Sequence, residues 1–197
     1  MKLKRLYQTI RLWTIRGDFA RANWARRQGI YGGIGEHVAI MDRKVPLYAK
    51  LIRFHNNIQI ASNVKFITHD AVHVIFNRMH KRAGSGAGGY LPEHIGCIEI
   101  MDNVFIGSDT TILCNVRIGP NAIVAAGSLV NSDVPPNSIV GGVPAKVIGQ
   151  FDALAEKRKQ AVYPKELHPA NQDVSEELVK FMWDKFEVER SADKLIN

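Results

Sequence analysis

The chain has 197 residues, 46% of them apolar, and a formal charge of +7 at neutral pH. That size predicts one domain with a sizeable core, and no apolar stretch approaches the ~20 residues of a membrane span. The charge is uneven: residues 1–27 hold eight basic side chains and one acid, while the other 170 balance 18 bases against 18 acids.

In MKLKRLYQTIRLW, Leu3, Leu6, Tyr7, Ile10 and Trp13 recur at helical spacing among Lys and Arg residues, predicting a basic amphipathic helix. Two roles fit it. Either its apolar face covers the open end of the structure that follows, or residues 1–16 meet an anionic surface such as a membrane leaflet or an acidic polymer. The segment lacks the continuous apolar core and small-residue cleavage site of a secretory leader. Cys97 and Cys114 have no metal-ligand spacing. A cytoplasmic protein with reduced thiols is therefore expected, with peripheral contact at the inner membrane face left open. Asp18 is positioned to cap a second helix, FARANWARRQ, ended by Gly29. No aromatic–basic interleaving or reader motif points to nucleic acid as a partner. Residues 1–32 form this basic helical segment.

From Ile100 an aliphatic residue stands at every sixth position: Ile100, Ile106, Ile112, Ile118, Val124 and Val130. Small or branched residues follow four places after each: Val104, Thr110, Val116, Ala122, Ser128 and Val134. A period of six is neither a strand's alternation nor a helix's 3.6. It suits three short strands per triangular coil, with coils stacked as a parallel β-helix and the six-fold residues pointing inward. Asp102, Asn103, Asp109, Asn115, Asn121 and Gly127 precede the turns, as residues tolerant of left-handed backbone do. The pattern begins at Ile34, Val38 and Ile40 and breaks near Pro46. It returns through Phe54, Ile58, Ile60, Val64 and Phe66, then pauses at Asp70. Residues 70–97 therefore read as a loop expelled from one corner of a β-helix spanning 33–150. Within it AGSGAGG lacks the GK[ST] ending of a phosphate-cradling loop; it reads as a lid over an acceptor or as slack linker.

After Gly149 the period ends. FDALAEKRKQAV predicts a short helix, YPKELHPAN a loop broken by Pro164 and Pro169, and VSEELVKFMWDKFEVER a helix with acids in its first turn. This 151–197 extension is expected to cover β-helix sides or a neighbouring subunit.

The six-residue repeats ending in VAAGSLVNSDVPPNSIVGGVPAKVIG resemble the left-handed β-helix acyltransferases of the hexapeptide-repeat superfamily, most nearly the galactoside and maltose O-acetyltransferases and polysaccharide O-acetyltransferases. The resemblance covers about residues 34–149. It implies an all-β, left-handed parallel β-helix, an acetyl-CoA donor, a hydroxyl or amine acceptor, and a homotrimer with active sites between subunits. It also implies no metal.

On that resemblance His69, in VKFITHD, matches the catalytic histidine. The reaction needs a base with a near-neutral pKa to take the acceptor's proton as its oxygen attacks a thioester carbonyl, and imidazole supplies one. Direct transfer needs no covalent acyl-enzyme, but the tetrahedral oxyanion needs a donor. Ser108 corresponds to the position beside the thioester. Glu93, or its rival Asp70, would orient the imidazole. Ala126, Asn131, Ser132 and Lys146 match coenzyme contacts: Ala126 by backbone groups toward the amide-bearing arm, Lys146 as a point charge for a phosphate. Galactoside members carry Thr-Lys where this chain has Asn131-Ser132, and a second Arg where it has Gly149. Phe105 stands where relatives often place Trp, as a sugar wall or as packing.

The expected acceptor is a hydroxyl of a saccharide such as a cell-surface polysaccharide precursor. Antibiotics or other xenobiotics, and N-acylation of amino sugars, share the scaffold. A zinc carbonic anhydrase of this fold would need three converging histidines, but His55 lies 14 residues before His69 where a coil repeats at 18. A non-enzymatic trimeric scaffold is the remaining alternative.

Overall fold

The computed structural model describes residues 2–82, 90–159, 164 and 173–193. It divides into two bodies, Met1–Leu154 and Ala155–Asn197.

The first body is the left-handed parallel β-helix. Its first coil supplies β1 (Gly33–Ile34) and β2 (Val38–Ile40), and the next β3 (Ile52–Phe54), β4 (Ile58–Ile60) and β5 (Lys65–Ile67). After the expelled segment come β6 (Ile98–Ile100), β7 (Val104–Ile106) and β8 (Thr111–Leu113), then β9 (Val116–Ile118), β10 (Ala122–Val124) and β11 (Leu129–Val130). β12 (Ser138–Gly141) and an antiparallel β13 (Lys146–Gln150) close the far end. Three sheets result: A from β1, β3, β6 and β9; B from β2, β4, β7, β10, β12 and β13; C from β5, β8 and β11.

Register explains the period. Ile98 pairs with Val116 and Thr111 with Leu129, each eighteen residues on. Across the expelled segment the step from Ile58 to Val104 is 46, which is one coil of 18 plus the 28 residues of 70–97. The insertion thus leaves the coils above and below it in phase. Ile100, Ile106, Ile112, Ile118 and Val124 have no exposed surface, so the six-fold residues form the core. The small set is buried too, with Thr110 Oγ1 donating to the Gly107 carbonyl at 2.8 Å. Asn103, Asp109, Asn115, Asn121 and Gly127 all have φ between 53° and 70°. At the corner entering sheet B their amides stack: Asn57 Nδ2 donates to Asn103 Oδ1 at 2.7 Å and Asn103 Nδ2 to Asn121 Oδ1 at 2.8 Å.

Gly107 is needed for contact rather than for φ. A Cβ there would lie 2.5 Å from the Ala126 backbone nitrogen, and backbone cannot swing aside. Gly107→Ala is expected to destabilise the protein by about 1–3 kcal/mol through overpacking. Urea denaturation of the variant beside the native chain measures it.

The N-terminal helices divide their work differently from the covering role offered to the first. α1 (Lys2–Thr14) turns Gln8 and Leu12 toward the body and leaves its apolar stripe exposed. It is α2 (Asp18–Arg27) that packs on β1 and β2, burying Ala22 and Ala25. Arg21 is buried with it, its Nε donating to the Ile40 carbonyl at 2.9 Å and Nη1 to the Ile15 carbonyl at 3.1 Å. Gly17, at φ 87°, is the N-cap. Asp18, expected as the cap, lies inside the first turn, where its carboxylate accepts from the Phe19 N–H at 2.8 Å.

The expelled segment is not all loop. It contains α3 (Val72–Arg82), which the Asp70 carboxylate starts by accepting from the Val72 N–H at 3.0 Å. AGSGAGG lies outside the described residues. In the tail, α4 (Phe151–Lys159) begins where its helix was expected, while residues 160–163 and 165–172 lie outside the described residues. In the second body α5 (Glu176–Asp193) starts on Ser175, whose Oγ accepts from the Leu178 N–H at 3.2 Å.

Candidate active site

His69 sits at the corner between sheets C and A, where the chain leaves β5 for the expelled segment. Its backbone is held on both sides. His69 forms an antiparallel bridge with Ile95; the Gly96 N–H donates to the Thr68 carbonyl at 2.9 Å and the Asp70 N–H to that of His94 at 3.1 Å. Thr68 is fully buried, with its hydroxyl donating to the Leu47 carbonyl at 2.8 Å. The neck of the segment is therefore clamped at the imidazole.

Tyr48 sets the ring's surroundings. It stands edge-on to His69 with centroids 5.3 Å apart and planes at 82°. Its hydroxyl donates to Glu93 Oε2 at 2.8 Å. That bond to a carboxylate, with desolvation and the carboxylate's charge, raises the Tyr48 phenol above its ordinary value. Glu93, expected to reach back and orient the imidazole, here accepts from Tyr48. Asp70, its rival for orienting the imidazole, caps α3. His69 Nδ1 is buried and has no hydrogen-bond partner among the described residues. Glu93→Gln removes the charge, and the Tyr48 titration is expected to fall toward the ~10 of free tyrosine. The ultraviolet difference between this variant with and without Tyr48→Phe isolates that phenol.

Ser108 and Ala126 meet at a different corner, between sheets B and C. The Gly127 N–H donates to the Ser108 carbonyl at 2.8 Å. The N–H groups of both Ser108 and Ala126 donate to no acceptor among the described residues. Two free donors, about 4.8 Å apart as successive coils are, suit an oxyanion or the amides of an extended ligand.

Asn131, Ser132 and Lys146 come together around a pocket of about 180 Å³, with Asp133, Pro135 and Val147. This pocket lies on the His69 edge, two coils farther along, because Asn131 follows β11 as His69 follows β5. One chain therefore places His69 and the lysine pocket on one edge of sheet C, and Ser108 and Ala126 on the other. At least a strand's length, about 10 Å at ~3.3 Å per residue, separates the edges. Between them sheet C turns out Lys65, Ile67, Thr111, Leu113 and Leu129.

Phe105 points outward from sheet B into a groove of about 390 Å³ with Phe19, His37 and Phe151, away from His69. His55 Nε2 lies 3.0 Å from Glu99 Oε1, at the opposite end of sheet A from His69. Glu99 also accepts from Arg117 Nε at 2.8 Å and from Arg53 Nη1 at 3.3 Å. The His55 bond, reinforced by Arg117, holds the Glu99 carboxyl below its usual range despite partial desolvation. Tyr48 gave no signal in sequence, because it lies in the irregular break before β3. The Glu99 ladder did give one, since Glu99 and Arg117 are eighteen apart.

The comparisons agree with this architecture. The model of the family "Bacterial transferase hexapeptide (six repeats)" matches residues 98–132. A 2,3,4,5-tetrahydropyridine-2,6-dicarboxylate N-acetyltransferase of Staphylococcus aureus is 41% identical over 85 residues, which is 43% of this chain and 36% of that protein's length. The chain thus spans about a third of the curated relatives it matches. Among solved structures, a hexapeptide-repeat containing acetyltransferase of Vibrio cholerae superposes with a TM-score of 0.56 at 21% identity, covering 76% of this chain and 89% of that one. A galactoside acetyltransferase in complex with coenzyme A gives 0.51 at 22%, covering 83% and 87%.

Proposed function

We propose that the chain is an acetyl-CoA-dependent acetyltransferase working as a homotrimer, with a saccharide hydroxyl as acceptor. The observation that carries this reading is the split site. His69 and the free N–H groups of Ser108 and Ala126 occupy opposite edges of sheet C, so neither half is complete in one chain. A three-fold axis facing the outer side of sheet C would set the His69 edge of one copy beside the Ser108 edge of the next, and such head-to-tail contacts close a ring.

In that composite site Nε2 of His69 takes the acceptor's hydroxyl proton as its oxygen attacks the thioester carbonyl carbon. The oxyanion is met by the Ser108 N–H or hydroxyl. The tetrahedral intermediate collapses with cleavage of the C–S bond, and the imidazolium returns its proton to the leaving thiolate. The products are the acetyl ester and coenzyme A, and the histidine is regenerated. Ala126 would pair with the amide-bearing arm. Lys146, with Asn131 and Ser132 beside it, would face a phosphate. Two free thiols, Cys97 and Cys114, fit a reducing, cytoplasmic setting.

Identity to an N-acetyltransferase favours a second reading, an amine acceptor at the same site. One assay separates them: thiol release from acetyl-CoA against panels of sugars, nucleotide sugars, amino sugars and amino acids. Release is expected with a hydroxylated sugar that lacks an amine. Release only with amines replaces the hydroxyl acceptor, and release with no acceptor in any panel removes the transferase reading.

A further inference from the structure

At about 100° per residue, Leu3, Leu6, Tyr7, Ile10 and Trp13 cover an arc of about 120° on α1, centred opposite the two residues it buries, Gln8 and Leu12. The stripe faces away from the protein. Its exposures run from 54% at Ile10 to 81% at Leu3, so five large apolar side chains lie together on a body that already has its core. Lys4 and Arg11 line one edge of the arc, and Arg5 lies beyond the other. Arg43 stacks on the Trp13 ring, its guanidinium carbon 5.2 Å from the centroid.

We infer that α1 seats the protein on an anionic lipid bilayer, lying in the interface with its apolar stripe toward the acyl chains. Two independent features choose this occupant. The stripe needs an apolar partner, which an acidic polymer does not offer. The surplus charge needs an anionic one, which a second copy does not offer: residues 28–197 are net neutral, and another α1 repeats the same positive charge. A bilayer with anionic headgroups meets both, with Lys and Arg at the phosphates and Tyr7 and Trp13 at the boundary. Thirteen residues of helix span about 20 Å, short of a ~30 Å hydrocarbon core, and no described helix is long and apolar enough to cross a membrane. α1 therefore lies on the surface. The inference does not depend on acetyl transfer, because the stripe contains no residue of the proposed site.

The test is co-sedimentation of the full chain with phosphatidylcholine vesicles, with and without phosphatidylserine. Two variants accompany it: Leu6→Ser with Ile10→Ser, and Lys4→Gln with Arg5→Gln and Arg11→Gln. Binding is expected to the serine-containing vesicles, at least tenfold weaker without the anionic lipid and at least tenfold weaker in either variant. All the altered side chains are exposed, so melting and any thiol-release activity in solution should match the native chain. Equal binding to both vesicles, or none, overturns the inference. So does retention by the Leu6/Ile10 variant, which assigns the charge to a polyanion. A change of oligomeric state in that variant on analytical ultracentrifugation, without loss of vesicle binding, assigns the stripe to a second copy instead.

Discussion

His69→Ala lowers kcat for thiol release by about 10²–10⁴ if the imidazole is the general base, with far less effect on the KM for acetyl-CoA. The fold should tolerate the change. The ring packs edge-on to Tyr48, and its Nδ1 bonds no described residue, while the clamp around it is made by backbone groups of Thr68, Asp70, His94 and Gly96. A variant that melts like the native protein and retains its rate would remove the base. The same variant tests the split site. Ser108→Trp fills the other half-site while leaving His69 intact. Each variant alone should be inactive. Co-refolded in equal amounts, they should regain activity, because about a quarter of the contacts in randomly mixed trimers pair an intact His69 with an intact Ser108. Sites contained within one chain would give no recovery.

Ile118→Ala costs about 2–5 kcal/mol of stability, whereas Arg117→Ala, one residue away, costs at most about 1 kcal/mol. Ile118 has no exposed surface; it pairs in register with Ile100 and bridges Val134. Arg117 points out of the same strand with 63% of its side chain exposed. In a solenoid each coil touches only its neighbours, so a cavity at Ile118 weakens the contacts to both the Ile100 and the Val134 coil. Denaturation midpoints of the two variants measured side by side check the contrast. Equal losses would mean that the inward and outward positions of the period have been confused.

The core was legible because every coil repeats the same physical demand. A six-residue side with one inward aliphatic residue and one turn residue of left-handed φ writes itself into the sequence once per corner, and Ile100 to Val130 and Asn103 to Gly127 repeat it without error. What a single element does once was harder to read. α3 was hidden because its helical spacing lies inside a segment defined by the absence of the six-fold period. The outward turn of α1 was hidden because the stripe alone does not say whether protein or another phase receives it; Gln8 and Leu12, a weaker pair, take the contact with the body. Glu93 was legible as a residue reaching back from the segment, but its partner was not, because Tyr48 is brought beside His69 only by the folded break before β3. The separation of His69 from Ser108 follows from counting corners, once β5 and β8 are known to be stacked.

The asparagine column from Asn57 through Asn103 to Asn121 has a consequence for how this molecule can change size. Asn103 gives to Asn121 and receives from Asn57, so the column runs head to tail and each rung repeats the same bond. A duplicated eighteen-residue stretch would find its bonding partners already waiting, and the prism would lengthen by one rung of about 4.8 Å. Reach along the molecular axis is thus quantised in rungs, and a lineage could adjust it by copying or losing whole units without redesigning either tip.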